Sequence, residues 1–270
     1  MYNDYFQLSE NPFNITADPA FFFSSAHHAE AFSHLVYGIT ERKGILVITG
    51  EIGTGKTTLC RTLLNHLDKK IKTAFILNPN FSDLQLLKII LKDFGIEGNF
   101  KNKNDCIAAL NEFLIEENAQ GNNVAIIVDE AQNLGIKQLE EIRLLSNLET
   151  EKSKLLQIVL AGQPELDEKL KKKELRQLKQ RIAVKFTLNP LKSEEIESYV
   201  KHRIKIANLP KKSKYAPKFT KEAISAIYDH SKGTPRMVNI LCDRALLAGF
   251  GANTNKIDDN IVNQCAAEII

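Results

Sequence analysis

The stretch "ITGEIGTGKTTL", residues 48 to 59, decides how the rest of the chain is read. It joins a short apolar run, "ILVIT" (45 to 49), to a helical pattern that begins near residue 55. Between them residues 50 to 57 match G-x-x-x-x-G-K-[ST], in the strand, loop and helix setting that the motif's mechanism requires. Gly50, Glu51, Ile52, Gly53, Thr54 and Gly55 form a loop whose glycines let successive N–H groups turn inward. With the helix N-terminus these groups surround phosphate oxygens. Lys56 supplies a cation for the β and γ phosphates, and Thr57 or its neighbour Thr58 a hydroxyl for Mg²⁺. A match by chance is expected at about the one-in-a-hundred level from average composition. The expectation is a nucleoside triphosphate site.

Outward from this loop, short apolar runs alternate with longer helical patterns, as in a parallel sheet covered by helices. The runs are "ILVIT" (45 to 49), "TAFIL" (73 to 77), "VAIIV" (124 to 128), "LLQIVLA" (155 to 161) and "AVKFTL" (183 to 188). Most are apolar throughout, as buried parallel strands should be. Helices are predicted over 55 to 68, 82 to 94, 104 to 118, 136 to 148 and 166 to 181. Beyond "LNPL" (188 to 191) the strand pattern stops and helical periodicity takes over. Ser193 with Glu194 and Glu195 opens one helix, and Phe219, Thr220 and Ile224 have the spacing of a hydrophobic staple around the N-cap of another. "LPKKSKYAPK" (209 to 218) reads as a loop. The expected division is an α/β domain over 1–191 and an all-helical one over 192–270.

The third apolar run ends "VAIIVDEAQNL", which puts Asp129 and Glu130 where a buried strand meets the crevice at the sheet's carboxyl edge. Asp129 is assigned to the metal and Glu130 to the base that polarises an attacking water. The pair favours hydrolysis over passive binding. A DEAD-type helicase would need a second ATPase-like domain for which this chain has no room. A kinase gives the Asp-Glu pair and the helical tail no role.

Late in the chain, "SKGTPRMVNI" (231 to 240) marks one helix ending and another starting. Gly233 suits the left-handed position after a helix, Thr234 the N-cap and Pro235 the first turn. Arg236 then sits at the wrong end of the helix dipole, at a cost of up to about 1 kcal/mol. Local helix chemistry gives that cation no role.

Composition narrows the class. Lys and Arg total 36 against 33 Asp and Glu, too near balance to imply nucleic acid without a local cluster. Cys60, Cys106, Cys242 and Cys265 have neither metal-ligand nor disulfide-framework spacing and read as buried reduced thiols. His27 and His28 lack a third ligand at suitable spacing and read as surface or packing residues. No signal peptide and no run of about 20 apolar residues is present, so a cytoplasmic chain is expected, attached to the inner membrane through partners if at all.

With these motifs in place the chain resembles the AAA+ ATPases, and specifically the GspA/ExeA family of bacterial secretion ATPases. The resemblance runs through "NPF" (11 to 13), "ITGEIGTGKTTL", "VDEAQNL", "IRLLSNLET" (142 to 150), "LLQIVLAGQPEL" (155 to 166), "LRQLKQRI" (175 to 182) and "GTPRMVNILCDRALL" (233 to 247). It implies a five-stranded parallel sheet in the order 5-1-4-3-2, a helical lid, and ATP with Mg²⁺. It also implies Gln163 as the sensor-1 residue, Arg236 as sensor 2, and Arg181 or Arg176 as a finger reaching a neighbouring subunit's nucleotide. Hence a homo-oligomer is expected. Asn78 would be a polar switch on Glu130, and the "NPF" and "ADPAFFF" (17 to 23) segments would lie on the adenine side.

Residues 169 to 185 hold eight Lys or Arg against one Glu, and "KKSKYAPKFTK" (211 to 221) adds a second cluster. Two functions follow from these features. One is an ATP-driven assembly factor for envelope secretion or pilus machinery, working through protein partners. The other, less favoured, is a DNA-associated ATPase of the transposition-helper type.

Overall fold

The computed structural model describes residues 1–77, 79–151, 153–207 and 215–269. Five parallel strands, β1 (Ile45–Thr49), β2 (Ile71–Ile76), β3 (Asn123–Val128), β4 (Leu156–Gly162) and β5 (Ile182–Thr187), form one sheet in the order β2-β3-β4-β1-β5. This is the expected order, and each strand lies within two residues of its predicted place. Central position explains the apolar runs: every residue of β1, β3 and β4 is buried, while the edge strands β2 and β5 alternate.

The chain has twelve α-helices among the described residues. They are α1 (Tyr2–Phe6), α2 (Ala26–Thr40), α3 (Lys56–His66), α4 (Asp83–Asp93), α5 (Lys103–Ala119), α6 (Ile136–Leu145), α7 (Pro164–Leu170), α8 (Arg176–Gln180), α9 (Ser193–Ala207), α10 (Lys221–Ser231), α11 (Pro235–Gly251) and α12 (Asp259–Ala267). Two-residue strands β6 (Lys218–Phe219) and β7 (Lys256–Ile257) pair in parallel.

The single helix predicted over 166 to 181 is broken into α7, a 3₁₀ turn at Lys173–Leu175, and α8. Leu170, Leu175 and Leu178 are all buried in the sheet's core. At about 100° per residue, an unbroken helix would carry Leu175 roughly 140° round from Leu170. The break lets both face inward.

Two compact units result. One comprises His27–Ile52 and Lys56–Leu188, the sheet with its flanking helices. The other comprises Met1–Ala26, Gly53–Gly55 and Asn189–Ile270. Expected with the α/β domain, residues 1–26 instead pack with the helical residues. Phe6, Phe13 and Phe21 are buried in one cluster with Ile196, Val200 and Leu246. Arg203 of α9 fastens the segment: Nε donates to the Pro12 carbonyl at 2.5 Å, a terminal nitrogen donates to that of Asn14 at 3.0 Å, and the guanidinium lies 4.7 Å from the Phe21 ring centre.

Within this second unit Thr220 caps α10 by accepting from the Ala223 N–H, and Pro235 occupies the first turn of α11. Lys232 and Gly233 both take positive φ between the two helices. A Cβ on Gly233 would stand 1.9 Å from the Leu191 carbonyl oxygen, so the close approach itself demands glycine. Most of the predicted 209–218 loop, and Asn78, lie outside the described residues.

Candidate functional site

Three neighbouring strands end side by side. Register pairs Thr49 of β1 with Gly162 of β4, and Val128 of β3 with Leu160 of β4. The phosphate loop, the Asp129–Glu130 pair and Gln163 therefore leave the same edge of the sheet, about 4.8 Å apart per strand. Local apolar strand chemistry supplies the rigid base, and the polar residues follow immediately where each strand stops.

In the loop Gly53 and Gly55 take φ of 80° and 98°, whereas Gly50 stays at negative φ. A side chain at Gly53 would meet Arg236 Cβ at 2.6 Å, and the Arg236 N–H donates to the Gly53 carbonyl at 3.2 Å. Lys56 is buried, its Nζ donating to the carbonyls of Gly50 at 2.7 Å and Glu51 at 2.9 Å. Burial pushes its ammonium below the ordinary value, and the charges of Glu130 and Asp129 oppose that shift. Glu51 and Ile52 are exposed, and Thr54 is buried.

Of the two hydroxyl candidates it is Thr57 whose Oγ1 donates to Asp129 Oδ2, at 2.6 Å. Asp129 is 1 % exposed. Burial raises its carboxyl above the usual range, against the bonds from Thr57 and the Glu130 N–H, which lower it. A hydroxyl and a carboxylate converging in this way are oxygen donors of the kind a hard divalent cation such as Mg²⁺ takes. One turn after Lys56, Cys60 is fully buried and its thiol is pushed up by that burial, so it is inert. All four cysteines are buried and free.

Glu130 takes φ 52° and ψ 37°, a left-handed conformation that costs a non-glycine residue about 1–3 kcal/mol. Its Oε2 accepts from two amides, Gln132 Nε2 at 2.5 Å and Gln163 Nε2 at 3.2 Å. Gln163 is thus brought to the Glu130 carboxylate, whereas the resemblance implied a reach toward the γ phosphate or the attacking water. Gln132 went unrecognised in the sequence, although it stands in "DEAQNL" two residues beyond Glu130. Lys169, counted in the basic cluster, is turned inward: its Nζ donates to the carbonyls of Gln132 and, at 3.0 Å, Leu134.

Of the other candidates, Arg236 meets the loop through its N–H bond to the Gly53 carbonyl. Arg176 and Arg181 are exposed at the two ends of α8, and Arg236 is exposed in the first turn of α11. Lys185 pairs with Asp167 at 2.8 Å, which leaves Lys171, Lys172, Lys173, Arg176, Lys179 and Arg181 as the exposed cations of 169–185 among residues not so engaged. His27 lies against the Phe186 ring, 6.1 Å between ring centres, and His28 is buried. No group of three or more His, Cys, Asp or Glu residues able to hold a metal ion occurs among the described residues. No helix among them is long and apolar enough to cross a membrane.

A family model described as an AAA domain matches residues 39–170. General secretion pathway protein A of Aeromonas hydrophila is 40% identical over 273 residues, an alignment covering 100% of this chain and 48% of that protein. The chain therefore spans about half the length of this curated relative. A solved structure of Cdc6p from Pyrobaculum aerophilum superposes with a TM-score of 0.72 at 19% identity, covering 94% of this chain and 71% of that one. Aeropyrum pernix ORC2, solved in ADPNP–ADP complexes, gives a TM-score of 0.65 at 15% identity, covering 89% and 66%. At these identities the structural likeness concerns the fold alone.

Proposed function

The chain belongs to the GspA/ExeA-like AAA ATPases, and on that premise we propose that it binds ATP with Mg²⁺ and hydrolyses it. Turnover drives assembly of a bacterial envelope secretion or pilus system through protein partners, at the cytoplasmic side of the inner membrane. The observation that carries the reading is the meeting of Thr57 Oγ1 with buried Asp129 Oδ2 at 2.6 Å, beside Glu130 and the Lys56 loop.

Lys56 exchanges its two loop carbonyls for phosphate oxygens, and the loop N–H groups surround the same phosphates. Thr57 and Asp129 hold Mg²⁺, which when bound neutralises charge on the phosphate oxygens. Glu130 accepts a proton from the attacking water and orients it, and Gln163 steadies that carboxylate. Arg236 reads the γ phosphate as sensor 2. Arg181, exposed at the C-terminal end of α8, serves a neighbouring copy as the finger, which makes a homo-oligomer the working form. If the protein stays monomeric with ATP analogues and Arg181→Ala turns over normally, the oligomer reading fails.

Glu130→Gln tests the chemistry directly. It should bind ATP with near-normal affinity and hydrolyse it about 100-fold more slowly or worse; hydrolysis at the wild-type rate removes Glu130 as the base. The six exposed cations at 171–181 favour a second reading, contact with DNA phosphates. A mobility-shift series across salt, with and without ATP, decides it: no retardation at low salt eliminates DNA.

A further inference from the structure

We infer that Gln132 is a positioning residue for the hydrolytic carboxylate, a role resting on the reading of Glu130 as the base. Its side-chain amide is used at both ends. Nε2 donates to Glu130 Oε2 at 2.5 Å, and Oε1 accepts from the Gln163 backbone N–H at 3.0 Å. One side chain therefore ties the end of β3 to the end of β4. Because the amide is planar, fixing its oxygen on the Gln163 backbone also fixes the direction in which its nitrogen offers a proton to Glu130.

Three further features hold Gln132 itself in place. Its carbonyl, with that of Leu134, accepts from Lys169 Nζ, which pins the 3₁₀ turn Ala131–Asn133 to α7. Gly162 leaves room for the amide: a Cβ there would lie 3.1 Å from Gln132 Oε1. Beneath the turn, Ala131 and Leu134 are fully buried, so the backbone on either side of Gln132 is anchored. The strained left-handed backbone of Glu130 needs such support from its surroundings.

Gln163 alone would leave the Glu130 carboxylate with one side-chain partner, from just beyond β4, at 3.2 Å. With Gln132 the Oε2 atom is fixed by two donors, and Oε1 is left to face the proton it takes. Gln132 touches neither water nor phosphate in this scheme and acts through Glu130.

The test uses steady-state and single-turnover ATP hydrolysis by the full chain. Gln132→Ala removes both bonds, and Gln132→Glu keeps the shape while replacing the donor by an acceptor. Each should lower kcat at least tenfold, with KM for ATP within about twofold. Introduced into Glu130→Gln, either change should alter the residual rate less than twofold, because no carboxylate remains to be positioned. A wild-type kcat in Gln132→Glu, alongside a slow Glu130→Gln, overturns the inference and leaves the base assignment standing. So does a tenfold loss repeated in full in the Glu130→Gln background, which would mark a merely structural role. A Glu130→Gln enzyme that turns over at the wild-type rate overturns the base assignment and this inference with it.

Discussion

The two ends of the central strands carry polar networks of opposite character. At the amino ends the buried polar groups are neutral amides hydrogen-bonded to one another and to the backbone. Gln157, fully buried in β4, accepts from the Gly44 N–H at 2.8 Å and donates to Asn123 Oδ1 at 3.3 Å and the Lys154 carbonyl at 3.2 Å. Asn123 in turn donates to the Ile39 carbonyl at 2.6 Å. At the carboxyl ends buried charges stand close together, with Lys56 shifted down, Asp129 shifted up and Glu130 on strained backbone. Neutral amides bonded to one another and to the backbone stabilise a fold, whereas partly desolvated charges cost stability. On the proposed function, the same sheet holds at one end and reacts at the other.

Substitutions should separate the two ends. The largest effect is expected from Lys56→Ala, which should weaken ATP binding about 1000-fold or more, near 4 kcal/mol, while the melting temperature of the nucleotide-free protein moves by no more than about 2 °C. Titration with a fluorescent ATP analogue measures the first and calorimetry the second. Retained binding would put the two ends on the same footing.

Gln157→Leu should do the reverse. It orphans the Gly44 N–H and strips a partner from Asn123, at about 2–4 kcal/mol, so that unfolding shifts down by roughly 5–10 °C. The kcat of the folded fraction should remain within about twofold.

The smallest effect is on Asp129 and tells most about its charge. Because burial raises this carboxyl in the folded state, its contribution to stability is greatest when protonated. That contribution is lost as pH rises from the ordinary carboxylate range, near 4, to the raised folded value. Asp129→Asn should flatten that slope and raise the melting temperature at neutral pH by about 2–4 °C, measured without nucleotide or Mg²⁺. An unchanged slope would mean the charge is not held at a cost.

Some elements announce themselves along the chain. The strand runs were legible because a strand buried on both faces needs apolar residues throughout. The failure at 166–181 is equally physical: helical propensity and spacing suggested one helix, but Leu175 had to reach a core that no unbroken helix could give it. The N-terminal phenylalanines were visible as apolar, yet nothing local says which core takes them. Arg203, 191 and 189 residues away along the chain, is what meets Pro12 and Asn14.

The sequence by itself determined the phosphate loop, the strand-end Asp-Glu pair, the five strands and the helical remainder. Each of these is encoded over a few contiguous residues, by glycine's access to positive φ, by the period of apolar positions, or by charged groups set directly after a buried strand. Only the tertiary structure chose Thr57 over Thr58 as the partner of Asp129, turned Lys169 inward, and brought Gln132 and Gln163 onto one oxygen of Glu130. Those choices depend on β4 lying between β1 and β3, which sets residues dozens of positions apart within hydrogen-bonding reach.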